Sequence, residues 1–183
     1  MAIDLEMFKS CNSPKVRLYS WKNKCISYGY AQKIDELINT EKAMENGWEI
    51  VKRPTGGGIV YHSTDEVTYS AVCPLTLLPE GLMGAYYCIS NIIVTALRSV
   101  GVDARIGSKF QVPGSRFKEN GLCFSDTREY EITVGGKKLV GSAQKRGRHA
   151  MLQQGSVQFS GTGLKNAPSY DEIASAVRSA FEG

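Results

Sequence analysis

The stretch Arg53-Pro-Thr-Gly-Gly-Gly-Ile-Val-Tyr-His62 constrains this chain more than any other segment. Three consecutive glycines, Gly56, Gly57 and Gly58, follow a proline turn and precede a β-branched and aromatic run. They add little to packing. They strip side chains from a short piece of backbone, so main-chain N–H groups can lie directly against a ligand. Arg53 sets a fixed positive charge on one side of that bare segment, and His62 sets a titratable imidazole on the other. A strand beginning near Ile59 anchors one end of the loop. The competing reading is a flexible hairpin turn, although turns seldom need three glycines with such flanks.

The 183 residues suit one domain, able to bury roughly 70% of the surface its unfolded chain exposes. A net charge of +4 fits an acidic partner or a phosphate-bearing ligand but is too weak to argue for nucleic acid. No apolar run reaches the length of a membrane span, and the first residues lack the regions of a signal peptide, so a cytoplasmic protein is expected. Five cysteines (Cys11, Cys25, Cys73, Cys88, Cys123), an odd number without a C-x-x-C pair, argue against zinc and against a disulfide framework. Any one of them is left free to act as a nucleophile.

Residues 2–9 read as a short helix, and residues 16–21 alternate as a strand that residues 25–28 continue in the same sheet. Residues 33–45 are helical in composition and stop at Asn46-Gly47. Three closely spaced strands follow at 48–52, 58–62 and 67–73, then a helix over 83–100 closed by Gly101. Residues 107–120 read as a loop. Further strands are expected at 130–134, 139–143 and 150–159, the first two joined by Gly135-Gly136. Ser169-Tyr-Asp-Glu172 is a capping box opening a last amphipathic helix to Phe181. The sum is an α+β fold, a mostly antiparallel sheet with flanking helices.

A second cluster runs from Gly135 to Gln144. A hairpin turn presents Lys137 and Lys138, and the strand after it carries the small residues Gly141, Ser142 and Ala143. A lysine beside a small-residue floor suits holding an anion or a polarised carbonyl. Taken alone, the segment is better read as a hairpin with two solvated lysines. Both glycine segments, with Glu66-Val-Thr-Tyr69-Ser70 and Gln153-Gln154-Gly155-Ser156-Val157 in the same order and spacing, resemble the lipoate–protein ligase and octanoyltransferase family. That family shares its catalytic domain with biotin–protein ligases. The resemblance runs from residue 1 to about residue 160 and includes Arg17, Trp21, Gly29 and Gln32. It implies the biotin/lipoyl protein ligase catalytic fold over residues 1–183. Met1-Ala-Ile-Asp4 then resembles the interior of the family's first helix, as in a chain shortened at its N-terminus, and no length remains for an accessory C-terminal domain.

The resemblance further implies a tunnel for a medium-chain acyl group, walled by the glycine loop and strand. Arg53, Gly56, Gly57, Gly58, His62, Tyr69, Gly141, Ser142, Ala143 and Gly155 are its expected substrate contacts. An apolar tunnel gains about 0.8 kcal/mol for each buried CH₂. Lys138 is expected at the acyl carbonyl or at the phosphate of an acyl-adenylate, as a loop-edge side chain of little packing value, with Lys137 a solvated neighbour. The glycine loop, the Lys138 hairpin and the strand after Ala150 should border one cavity in a single sheet. The family's His-Gly-Ser pattern reads Gln154-Gly155-Ser156 here.

Two chemistries are implied. Ligases activate free lipoate with ATP and Mg²⁺ through an adenylate. Transferases take octanoyl or lipoyl groups from acyl carrier protein through a cysteine thioester and need no cofactor. Cys123 lies fifteen residues ahead of Lys138 and resembles the nucleophile of the cysteine-dependent branch. A small buried residue at a strand edge is the other reading of Cys123. The acceptors would be lipoyl carrier domains of 2-oxoacid dehydrogenase subunits or the glycine cleavage H protein. A non-catalytic binder of acylated carrier domains stays open as a different class; neither nucleic acid nor membrane is an expected partner.

Overall fold

The elements run α1 (Ala2–Lys9), β1 (Lys15–Tyr19), β2 (Cys25–Tyr28), α2 (Thr40–Glu45), β3 (Glu49–Lys52), β4 (Val60–His62), β5 (Val67–Pro74), α3 (Gly81–Ser99), β6 (Ala104–Ile106), β7 (Ile132–Val134), β8 (Lys137–Arg146), β9 (Ala150–Val157) and α4 (Tyr170–Glu182). They belong to a computed structural model that describes residues 1–107 and 131–182. The expected loop at 107–120 and Cys123 lie outside the described residues, apart from Gly107 itself.

Six strands form one sheet in the order β1-β5-β9-β8-β7-β6, antiparallel throughout. Its central strands β5 and β9 are buried almost from end to end, although they carry polar residues such as Thr68, Ser70, Gln153, Gln154 and Ser156. One layer of cover comes from α3 and α4, whose Ile89, Ile93, Leu97, Ile173 and Val177 pack with Val67, Leu139, Met151 and Val157 of the sheet. The capping box forms as read: Ser169 N donates to Glu172 Oε2 at 2.8 Å, and Glu172 N donates to Ser169 Oγ at 3.3 Å. At the β7–β8 hairpin, Gly135 and Gly136 both have positive φ, 56° and 76°, the combination a tight two-residue turn requires.

Two expectations need correction, and one strand was not foreseen. Cys25–Tyr28 does not extend the main sheet. It is the middle strand of a second sheet, β3-β2-β4, with its own small core of Ile26, Ile34 and Ile59. The β2–β3 pairing is parallel, a geometry that local alternation does not encode. The expected helix over 33–45 is interrupted. Residues Ile34–Glu36 close as a 3₁₀ turn, and Asn39 is extended with its Oδ1 accepting from Lys42 N at 2.8 Å, so a new helix starts at Thr40. Finally, Ala104–Ile106 forms β6 on β7, a strand of three residues too short to show a period. Among the described residues no helix is long and apolar enough to cross a membrane.

Candidate functional site

The two sheets meet over a cavity of about 350 Å³, the open space at its mouth included. Six of the expected contacts line it: Arg53, His62, Gly141, Ser142, Ala143 and Gly155. Trp21, Ser27, Gln154 and Ser156 join them in the wall. One cavity therefore does draw on both glycine segments and on β9, but it lies between two sheets rather than within one.

The small residues are small for measurable reasons. A Cβ on Gly155 would sit 2.5 Å from the Tyr69 ring, which crosses β9 there so that its hydroxyl meets Ser142 Oγ at 2.7 Å. Gly29 leaves room for the glycine loop itself, since a Cβ there would lie 2.3 Å from the Gly57 carbonyl oxygen. Gly57 has φ of 88° and faces Ala143, 3.3 Å from where its Cβ would be. The loop thus rests against β8, and the Gly56 N–H is directed to Gln144 O at 3.5 Å.

Arg53 is 6% exposed and works as an internal brace. It donates to the Gly58 carbonyl at 2.6 Å, to the Gly56 carbonyl at 3.2 Å and to Ser27 Oγ at 2.6 Å. Ser27 Oγ in turn lies 2.5 Å from His62 Nε2, while His62 Nδ1 meets Glu66 Oε1. A serine–histidine–carboxylate row ordinarily suggests a nucleophile. Here Ser27 is fully covered and already accepts from a guanidinium, so the row is a clamp joining both sheets. Burial pushes the Glu66 carboxyl up, but hydrogen bonds and the nearby His62 outweigh it and leave the group below its ordinary value.

Gln154, the substitute for the family's histidine, is a second brace. Its Nε2 donates to Asp4 Oδ2 at 2.8 Å, and its Oε1 accepts from Thr55 Oγ1 at 2.8 Å. Asp4, fully buried, also binds Arg17 at 2.7 Å. Helix α1, β9 and the start of the glycine loop are locked through these four side chains. Ser27 carries this framework without standing out in the sequence, and Glu66, Asp4 and Thr55 lie inside the motifs above without a role assigned to them; the spacing of His62 and Glu66, four residues apart, was one available signal.

Lys138 does not line the cavity. Its Nζ lies 2.5 Å from Glu131 Oε1, and both side chains are nearly covered, 4% and 6% exposed. The expectation of a loop-edge lysine without packing value is corrected: Lys138 stands at the start of β8, where Thr133 is its cross-strand neighbour and a bulge beside Ile132 shifts the register. Lys137 is exposed, as expected. Burial pushes the Cys25 thiol up to about 12 and the Cys73 thiol up to about 11. Among the described residues no group of three or more His, Cys, Asp or Glu is arranged to hold a metal ion.

Residues 1–179 match the model of a family described as the lipoyl protein ligase A/B catalytic domain. A protein named octanoyltransferase LipM from Macrococcus caseolyticus is 36% identical over 153 residues, covering 79% of this chain and 54% of its own length. Its namesake from Moorella thermoacetica is 38% identical over 163 residues, covering 86% and 59%. The chain therefore spans little more than half the length of the curated relatives it matches. Among solved structures, a putative lipoate protein ligase from T. acidophilum with bound lipoic acid superposes with a TM-score of 0.79 at 22% identity, over 99% of this chain and 78% of that one. Lipoate-protein ligase A bound with ATP gives 0.78 at 22% identity, over 99% and 77%. These two establish the shared fold.

Proposed function

We propose, since the chain belongs to the lipoyl protein ligase A/B catalytic-domain family, that it transfers an octanoyl or lipoyl group to a lysine of a lipoyl carrier domain. The observation that carries this reading is the 36–38% identity to proteins named octanoyltransferase, over most of this chain. A narrow cavity walled by Gly141, Ser142, Ala143 and Gly155 supports it, because small side chains leave a slot for an unbranched chain. The donor is acyl carrier protein. Its octanoyl thioester is attacked by the Cys123 thiolate, which releases the carrier thiol and leaves an enzyme thioester. The acceptor lysine amine then attacks that carbonyl, an amide forms, and the Cys123 thiol returns. Neither ATP nor Mg²⁺ takes part.

Burial has raised the Cys25 and Cys73 thiols far above neutral pH, which makes those two poor nucleophiles. Lys138, held by Glu131, supplies the cation for the developing oxyanion. Arg53 and the glycine loop shape the pocket, with His62 and Tyr69 fixing its walls. The four described cysteines are free thiols, which suits a reducing cytoplasm.

The test is transfer to an isolated lipoyl carrier domain. Octanoyl-acyl carrier protein without ATP should support it, and free octanoate or lipoate with ATP and Mg²⁺ should not. The opposite donor requirement would overturn the reading.

A further inference from the structure

Glu66 gathers more of the cavity wall than any residue that touches the cavity. Its Oε1 accepts from Trp21 Nε1 at 3.1 Å and from Thr68 Oγ1 at 3.0 Å, and also from His62 Nδ1 and Ser156 Oγ. Its Oε2 accepts from Gln158 Nε2 at 2.6 Å and from Ser63 N at 3.2 Å. Four of these six donors, Trp21, His62, Thr68 and Ser156, line the cavity, whereas Glu66 does not. They arrive from the segment after β1, from β4, from β5 and from β9, so one carboxylate ties both sheets to one wall.

The chemistry of that wall is specific. Glu66 is 2% exposed, and a buried carboxylate is tolerable only when its lone pairs are taken up by donors. All six of these neighbours are donors, a set that an amide cannot satisfy because its NH₂ would face N–H groups. The Trp21 indole and the His62 ring stack with centroids 4.3 Å apart and planes at 26°. Glu66 bonds both rings at their edges, which sets the tilt and depth of the pair. Thr68 Oγ1 supports the indole as well, at 2.9 Å from Nε1.

We propose that Glu66 is a positioning residue for the pocket: without touching the ligand, it fixes the stacked Trp21 and His62 rings as one rigid wall and so sets which acyl-chain lengths fit. The identity of the ligand as an acyl chain rests on the function proposed above. The positioning of Trp21 does not, and the two are separable by experiment.

Trp21 and Trp48 are the two tryptophans, so a Trp48→Phe background leaves Trp21 as the sole reporter. In that background, Glu66→Gln should shift ligand-free Trp21 emission to the red and raise its quenching by acrylamide, with far-UV circular dichroism unchanged. Octanoic acid binding should weaken about fivefold, the worth of one net hydrogen bond, and discrimination between octanoic and dodecanoic acid should narrow. Thr68→Val, which removes one support of the indole and keeps the shape, should move the same signals less. A role confined to stability would lower the melting temperature and leave emission, quenching and chain preference alone. Parent-like Trp21 signals in folded Glu66→Gln, or in Thr68→Val should the first variant not fold, would overturn the proposal. If the parent bound no fatty acid, the acyl-pocket reading would fail, and the ligand-free fluorescence would still decide the role of Glu66.

Discussion

At one end of the site, the glycine loop is held by Arg53, Ser27, His62 and Glu66 and, through Thr55, by Gln154 and Asp4. Outside the cavity lining, the start of β8 holds Lys138 in a buried pair with Glu131. The first end is a mesh in which each side chain has several partners from distant parts of the chain. The second puts a single positive charge in one place. A mesh fixes shape and distributes the cost of any one loss, whereas a buried ion pair concentrates it in few groups.

Lys138→Ala tests the concentrated end and should have the largest effect. Octanoyl transfer should fall roughly a hundredfold to a thousandfold, the usual loss when a charge aimed at an oxyanion is removed. Because Lys138 and Glu131 are buried together, stability should fall too. Breaking such a pair costs about 3–5 kcal/mol when the remaining charge is left uncompensated. Lys138→Ala with Glu131→Ala should recover stability on thermal denaturation without recovering the rate. Recovery of both would make Lys138 structural only.

Gly155→Ala tests the mesh through its packing. Its new Cβ would lie 2.5 Å from the Tyr69 ring, so the ring must move off Ser142. A loss of about 1–3 kcal/mol is expected from overpacking, read by denaturant unfolding. An unchanged midpoint would mean that the close approach of Tyr69 to β9 is not a constraint.

Glu66→Gln tests the mesh through pH. The Glu66 carboxyl sits below its ordinary value of 4.5, so its protonation is linked to unfolding. A depressed carboxyl contributes in full above that ordinary value and loses its contribution as pH falls through the folded-state value. The stability gap between parent and variant should therefore be wide at neutral pH and shrink below about 4.5. A gap independent of pH would contradict the charged state of this hub. Lys137→Ala sets the lower bound: an exposed neighbour one residue from Lys138 should leave transfer nearly unchanged and stability within about 0.5 kcal/mol.

Much of the fold was legible because its signals are local. The apolar period of α3, the capping box at Ser169 and the Gly135-Gly136 turn each act within a few residues. The separate sheet of β2, β3 and β4 was not legible, since its parallel pairing joins segments more than twenty residues apart by register alone. The glycine loop and the small residues of β8 and β9 announced a cavity, as groups that packing alone would not choose. The partners of those residues stayed hidden. Glu131 is separated from Lys138 by a turn, and Gln154 meets Asp4 from 150 residues away. A sequence shows which residues are chemically unusual, while the fold decides whether an Arg53 reaches a ligand or braces a loop.

Intact-protein mass spectrometry after mixing the chain with octanoyl-acyl carrier protein, without ATP, tests the central claim most directly. The account predicts one added octanoyl group, lost on hydroxylamine treatment and absent from Cys123→Ser, whose hydroxyl lacks the thiolate's nucleophilicity at neutral pH. An adduct that persists in Cys123→Ser, or no adduct while transfer to the carrier domain proceeds, would contradict it.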